Sequence, residues 1–263
     1  MATAESSPRS LAGRHALVTG ASRGIGAAIA RGLAAEGARV TLLGRDEAAL
    51  RAEMEAGSGE GFVIADVTNA EALLASLSAA VAARGQIEIL VNNAGSASTA
   101  PFLKTDAAVF QRMFEVHVLA AVHTSKFVLP GMLGAGFGRI VNVGSTASLK
   151  GARYISAYAV AKHGLLGLTR TLALETAKTG VTVNAVCPGY TETDMVRGSL
   201  QKTMNKTGRP YDELLGEILA ENPLGRLVKP EEVAAAVVWL CGEGAASVTG
   251  QAIAIDGGET AGR

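Results

Sequence analysis

Short apolar runs rich in β-branched residues alternate along the chain with longer stretches whose apolar positions recur at helical spacing. The short runs read as buried strands: His15–Thr19, Arg39–Gly44, Gly61–Ala65, Ile87–Asn92, Gly138–Val143, Val181–Cys187 and Ala252–Asp256. Between them the pattern predicts helices over Ile25–Glu36, Glu47–Glu55, Ala70–Arg84, Asp106–Ala135, Ser156–Thr179 and Pro230–Cys241. Alternation of this kind requires right-handed crossovers, and it places a parallel sheet between two helical layers. The expected class is α/β, a single doubly wound domain with a parallel seven-stranded sheet and helices on both faces. No Pro/Ser-rich linker and no repeat divides the chain. One domain is expected over residues 11–263, after a floppy lead over residues 1–10.

The rhythm fails in one place. Asp194 to Asn222 is polar, carries Lys202, Lys206 and Arg209, and follows the sixth strand at the edge where α/β sheets bind ligands. Residues 194–222 are the natural substrate lid. Their cations could meet the phosphates of a CoA or carrier-protein arm.

Composition narrows the function. The 263 residues hold 24 Lys and Arg against 24 Asp and Glu, so no basic excess points to nucleic acid. No apolar run reaches the roughly 18 residues of a membrane span. Cys187 and Cys241 are far apart and fit no metal-ligand spacing, so they read as reduced core thiols of a cytoplasmic protein, with no metal site expected.

The first turn carries the phosphate signal, Thr19-Gly20-Ala21-Ser22-Arg23-Gly24-Ile25-Gly26. It follows a strand and opens a helix, whose unpaired N–H groups suit a pyrophosphate. Its spacing is Gly-x-x-x-Gly-x-Gly, not the dinucleotide fingerprint Gly-x-Gly-x-x-Gly. The second strand ends Leu43-Gly44-Arg45-Asp46. Arg45 and Arg23, with no acid at the strand end, favour a 2′-phosphate and hence NADP(H). A one-residue shift would instead bring Asp46 to the ribose, and NAD(H) is then the alternative.

Tyr158 and Lys162 stand four residues apart in a Pro-free stretch, one turn apart on one helix face. Ser145 lies thirteen residues before Tyr158, just past the strand that ends at Val143. A hydroxyl, a phenol and an ammonium could meet there at the mouth of the sheet. A Tyr-x-x-x-Lys pair alone is common on helix surfaces, and its weight comes from the rest of the chain.

From about Gly13 to Gly258 the chain resembles the short-chain dehydrogenase/reductase family. The motifs occur in order: Thr19–Gly26, Asn92–Gly95, Ser145, Tyr158 with Lys162, then Pro188-Gly189 with Thr193. The resemblance implies a Rossmann-like domain that transfers a hydride between NAD(P) and a ketone or secondary alcohol. It implies Gly20, Ser22, Gly24, Ile25 and Gly26 at the pyrophosphate, Asp66 and Val67 at the adenine, and Asn93 and Gly95 near the ribose. Lys162 would hold the nicotinamide ribose and Thr193 the carboxamide, with Tyr158, Pro188 and Gly189 also among the cofactor-binding residues. The tail Val248-Thr249-Gly250-Gln251 and Asp256-Gly257-Gly258 resembles members acting on 3-oxoacyl thioesters and polyketide ketones. A homotetramer is also implied, built on helices with small residues such as Ala120, Ala121, Ala157, Gly164 and Gly167.

The residue types suit the chemistry. Charge building on a carbonyl oxygen needs a proton donor, Tyr158, and a second hydrogen bond, Ser145. An ammonium about 4 Å away, at an effective dielectric of about 20, is worth roughly 4 kcal/mol. Lys162 is therefore expected to pull the phenol's pKa down. One position departs from the family: His117 stands where an Asn usually holds a water behind the Lys. His117 is expected to take over that relay and to add its own titration near pH 6.5. A non-catalytic nucleotide-binding or scaffolding protein is the alternative function, with an isomerase of the same fold as a third.

Overall fold

The structure, a computed structural model, describes residues 10–262. Seven strands, β1 (His15–Thr19), β2 (Arg39–Gly44), β3 (Gly61–Ile64), β4 (Ile89–Asn92), β5 (Gly138–Val143), β6 (Val181–Pro188) and β7 (Ala252–Ile255), form one sheet in the order 3-2-1-4-5-6-7. Every pairing is parallel, for example Leu17 with Thr41 on one side and Leu90 on the other. The expected doubly wound α/β class is the observed one.

Period-two alternation splits the strands between two cores. Val18, Leu42, Val91 and Val141 face one layer, where they meet Ile29, Leu33, Val233 and Val237. Their chain neighbours Leu17, Leu43, Leu90 and Ile140 face the other, with Leu73, Leu77 and Val128. Helices α1 (Gly24–Ala35), α2 (Glu47–Glu53), α3 (Ala70–Arg84), α4 (Ala107–Phe114), α5 (Ala120–Ala135) and α6 (Ser156–Thr176) supply most of this cover. The chain order reverses between β1 and β4, which opens a crevice at the carboxyl edge.

Several expectations shift in detail. The stretch after β6 is not irregular but two helices, α7 (Asp194–Thr207) and α8 (Tyr211–Glu221), followed by α9 (Pro230–Cys241). Thr193 caps α7, its Oγ1 accepting the Val196 N–H at 3.5 Å, and Gly208 closes it in the left-handed region at φ 72°. The polar composition that hid these helices is that of helices with little buried surface; Leu200 and Leu214 are their buried residues. The helical run 107–135 passes through a π turn, Glu115–Leu119, which swings His117 inward. By length and composition alone that run could also cross a membrane, an 18-residue window of it having a mean hydropathy of 1.3. In the fold it packs against β4, β5, α3 and α6.

Residues 1–9 of the expected lead lie outside the described residues. Ser10 is anchored, its N–H and Oγ donating to Glu36 Oε2 at 3.1 and 2.9 Å.

Candidate active site

The turn from β1 into α1 is shaped by close approaches that glycine alone permits. A Cβ on Gly26 would lie 2.2 Å from the Gly20 carbonyl oxygen, and one on Gly20 would lie 2.9 Å from Ala94 Cα. Arg23 is the N-cap of α1, but no side chain caps the helix and its first turn holds no acid. The N–H groups there remain available to an anion, so the turn fits a pyrophosphate. Ser22 and Ile25 flank this opening, and Thr193 reaches it from beyond β6: its Cγ2 is 3.3 Å from where a Gly24 Cβ would stand.

Asn93 braces the turn. Its Nδ2 donates to the carbonyls of Thr19 and Gly20 at 2.9 and 3.1 Å, so its amide nitrogen is committed to loop shape. Thr19 Oγ1 accepts the N–H groups of Asn93 and Ala94, both at 3.0 Å, which ties β4 to β1.

At the end of β2, Gly44 pairs with Ile64 and Arg45 points outward. Arg45 Nη1 is 3.2 Å from Asp66 Oδ2. Both groups are exposed, and an exposed pair is worth at most about 1 kcal/mol, so Arg45 can be redirected to a phosphate. Asp66 also accepts the N–H and hydroxyl of Thr68, and these bonds and Arg45 hold its carboxyl below the usual range. Val67 beside it is buried. Asp46 instead caps α2, accepting the Ala49 N–H at 3.1 Å. One Asp46 oxygen is thus committed to an orphan N–H group of that helix.

Ser145, Tyr158 and Lys162 converge at the end of β5. Ser145 Oγ accepts the Ala147 N–H at 3.1 Å and Ser148 Oγ accepts the Ser145 N–H, a reciprocal cap that fixes the serine backbone. Lys162 is buried and donates from Nζ to the Val143 carbonyl at 2.7 Å. Burial lowers its pKa to about 8. The Tyr158 phenol is pushed up to about 12 by burial, against an opposing hydrogen bond to Ser145. This corrects the expected lowering by Lys162. The ammonium faces Val143 and sits 5.5 Å from the centre of the tyrosine ring, and desolvation of the phenolate outweighs its attraction.

His117 lies beside the ring, edge-on at 5.3 Å between centroids. Its Nε2 is 2.8 Å from the Ser96 carbonyl, which can only accept, so Nε2 carries the proton and Nδ1 does not. Nδ1 is buried without a partner. Burial first, then Lys162, lower the His117 pKa to about 3. The expected titration near pH 6.5 is therefore absent: the imidazole is neutral throughout the working range. Gly95 packs on it, where a Cβ would stand 2.5 Å from Cε1. His117, Asn92, Thr124 and Lys162 line a cavity of about 10 Å³.

Sequence reasoning passed over the buried network that aligns these elements. Thr124 Oγ1 donates to Asn92 Oδ1 at 2.7 Å, Asn92 Nδ2 to Asn142 Oδ1 at 2.9 Å, and Asn142 Nδ2 to Thr169 Oγ1 at 2.9 Å. Asn142 inside an otherwise apolar strand was the available signal. Pro188 ends β6 and Gly189 follows it, its N–H bonded to the Ile255 carbonyl at 3.1 Å. On α7, Lys202 and Lys206 are exposed. Arg209 pairs with the exposed Glu213 and Glu217 of α8 at 2.7 and 2.5 Å. Among the described residues no His/Cys/Asp/Glu group could hold a metal, and Cys187 and Cys241 are free and buried.

Known proteins are similar to this chain along nearly its whole length. Residues 20–260 match the family model described as enoyl-(acyl carrier protein) reductase. A D-beta-hydroxybutyrate dehydrogenase of Cupriavidus necator is 39% identical, with 94% of this chain and 98% of that protein covered. A 3-oxoacyl-[acyl-carrier-protein] reductase of Vibrio cholerae is 40% identical over the same shares, 94% and 98%. The crystal structure of a variant actinorhodin polyketide ketoreductase with NADPH superposes at a TM-score of 0.89, with 38% identity, covering 94% of this chain and 97% of that one.

Proposed function

The chain belongs to the short-chain dehydrogenase/reductase family, and from that premise we propose that Ser145, Tyr158 and Lys162 carry its ketone reduction. The chain is an NAD(P)(H)-dependent oxidoreductase acting between a ketone and a secondary alcohol, with NADP(H) favoured. The observation that carries the assignment is the meeting of the three side chains at the end of β5.

The uncapped N-terminus of α1 and the glycine turn would hold the pyrophosphate, Arg45 and Arg23 the 2′-phosphate, and Asp66 and Val67 the adenine. Lys162 and Tyr158 would face the nicotinamide ribose, and Pro188, Gly189 and Thr193 the nicotinamide. Bound there, the nicotinamide supplies a hydride. As charge builds on the substrate oxygen, the Tyr158 hydroxyl donates its proton and the Ser145 hydroxyl donates a second hydrogen bond. A phenol is a far stronger acid than a secondary alcohol, so transfer to a nascent alkoxide is downhill even from a raised pKa. Lys162, with its pKa lowered to about 8, exchanges protons readily near neutrality. The cavity behind it sets Asn92, His117, Thr124 and Lys162 among apolar side chains and has roughly the room that one water needs. His117 acts there as a positioning group that remains neutral.

The substrate is a β-keto compound, a 3-oxoacyl thioester or polyketide-like ketone; the names of the relatives and the exposed apolar rim support this reading. Helices α7 and α8 form the lid over it. Ala120, Ala121 and Ala157, expected on an outer helix face, are instead buried within the chain, and the exposed Phe114, Val160 and Leu174 on α4 and α6 support a homotetramer; two free buried thiols support a cytoplasmic location.

The test follows the loss of nicotinamide absorbance with acetoacetyl-CoA, ethyl acetoacetate and a cyclic ketone, using NADPH and NADH. Tyr158→Phe should lower kcat by at least about a hundredfold with NADPH affinity retained. Arg45→Ala should cost NADPH alone about ten- to a hundredfold in affinity. Cofactor binding with no turnover of any ketone would leave a non-catalytic nucleotide-binding protein.

A further inference from the structure

One buried ion pair at the catalytic edge has no part in the reaction described above. Lys150 lies five residues beyond Ser145, just after the short 3₁₀ turn Thr146–Ser148. Its N–H donates to the Thr146 carbonyl at 3.0 Å, which holds its backbone to the serine cap. Its Nζ is 2.7 Å from Glu259 Oε1 and 3.6 Å from Glu221 Oε2. The Lys150 and Glu259 side chains are only 13% and 3% exposed.

Glu259 reaches this place because the tail after β7 folds back. Asp256 Oδ1 accepts the Gly258 N–H at 3.0 Å, and Oδ2 accepts the N–H and hydroxyl of Thr260 at 2.9 and 2.6 Å. Gly257 and Gly258 make the bend at φ 65° and 92°. The second Glu259 oxygen then lies against the end of β6: a Cβ on Gly189 would be 3.0 Å from Oε2. One carboxylate thus spans the segment that carries Ser145 and the Pro188–Gly189 turn. Glu221, the last residue of α8, joins the same ammonium from the lid side.

A buried pair of this kind is a poor source of net stability, because desolvation offsets its attraction. Its constraint on geometry is strong, since the buried Glu259 carboxylate would stand uncompensated inside the protein without the ammonium. We propose that Lys150 and Glu259 are positioning residues: a strut that sets the spacing between Ser145 and the Gly189 turn, with Glu221 linking it to the lid. Neither touches reacting atoms. The inference rests on the reading of Ser145 as substrate-facing and Gly189 as cofactor-facing.

The test uses the full chain and two readouts: NADPH affinity from nicotinamide fluorescence, and NADPH oxidation with acetoacetyl-CoA and ethyl acetoacetate. Lys150→Met and Glu259→Gln should each raise the NADPH Kd by about fivefold, within the range by which residues outside a site shift its coupling. Each should lower kcat by about ten- to a hundredfold, the scale of a misplacement near 1 Å. The double variant should be no worse than the poorer single one, because the pair acts as a unit. Lys150→Arg, which keeps the charge, should recover most of both losses. If the unaltered protein reduces neither ketone, the substrate reading above falls while the affinity readout still decides the strut. Unchanged Kd and kcat in both single variants would overturn it. A loss that Lys150→Arg shares in full, and that follows melting temperature across the set, would equally overturn it by showing a merely structural pair.

Discussion

On the β1 side of the crevice, the glycine turn, Thr19 and Asn93 are joined by hydrogen bonds of 2.9 to 3.1 Å, and a Cβ at Gly20 or Gly26 would strike backbone. On the far side of the crevice, the segments that follow β4, β5 and β6 leave Phe102, Leu103, Tyr154, Met195 and Leu224 in solvent, Leu103 at 96% exposure. Tyr154 is held at φ 67°, the one non-glycine residue at positive φ among those described, and its carbonyl accepts the Ala100 N–H at 2.8 Å. The first region is assembled before any ligand arrives. The second keeps apolar surface that only a ligand or a closing lid would cover. The difference teaches how the two tasks divide: a rigid site suits a cofactor shared across a family, and an adaptable rim suits a substrate particular to one member.

The comparison breaks most readily at Gly26. Gly26→Ala pushes a methyl into the Gly20 carbonyl at 2.2 Å and leaves the rim untouched. Fluorescence titration should show NADPH affinity lost by more than about a hundredfold, since a backbone clash of overpacking size cannot be relieved by rotating a side chain. Retained affinity would mean that the turn is less rigid than its contacts imply.

His117 stands where the regions meet, bonded to Ser96 and packed on Tyr158. Its pKa of about 3 in the fold, against 6.5 in the unfolded chain, makes stability pH-dependent. Between those values the unfolded chain binds a proton that the fold refuses, so this stabilisation is complete above pH 6.5 and is lost as pH falls toward 3. Its full size is at most about 5 kcal/mol. His117→Asn should flatten the melting temperature against pH between 6.5 and 4, with no shoulder appearing or disappearing near pH 6.5 in the rate profile. An unchanged acid slope would show that His117 does not resist protonation.

The smallest effect belongs to the rim. Leu103→Ser should leave NADPH affinity unchanged and raise KM for an apolar ketone by about tenfold or less, the worth of a few methylenes in a partly open site. An equal change in both constants would erase the division between the regions.

Much of the fold was legible because strands and helices announce themselves locally. The runs at His15–Thr19, Arg39–Gly44 and Gly138–Val143 are strands at the expected limits, and the glycine turn lies between β1 and α1 as its spacing required. Ser145, Tyr158 and Lys162 were legible as well, through a helical offset and a strand end. Helices α7 and α8 were not, because they bury little and so carry little apolar periodicity. Nor could the sequence say that Arg45 faces Asp66 or that Asn93 braces the turn, since each depends on partners set by chain crossings. The charge states lay furthest from view. Sequence spacing put an ammonium beside a phenol, but the depth of burial raised Tyr158 and lowered Lys162 and His117. Local order follows from the pattern of neighbours along the chain; desolvation and the closure of Lys150 onto Glu259 follow from segments that only the folded sheet brings together.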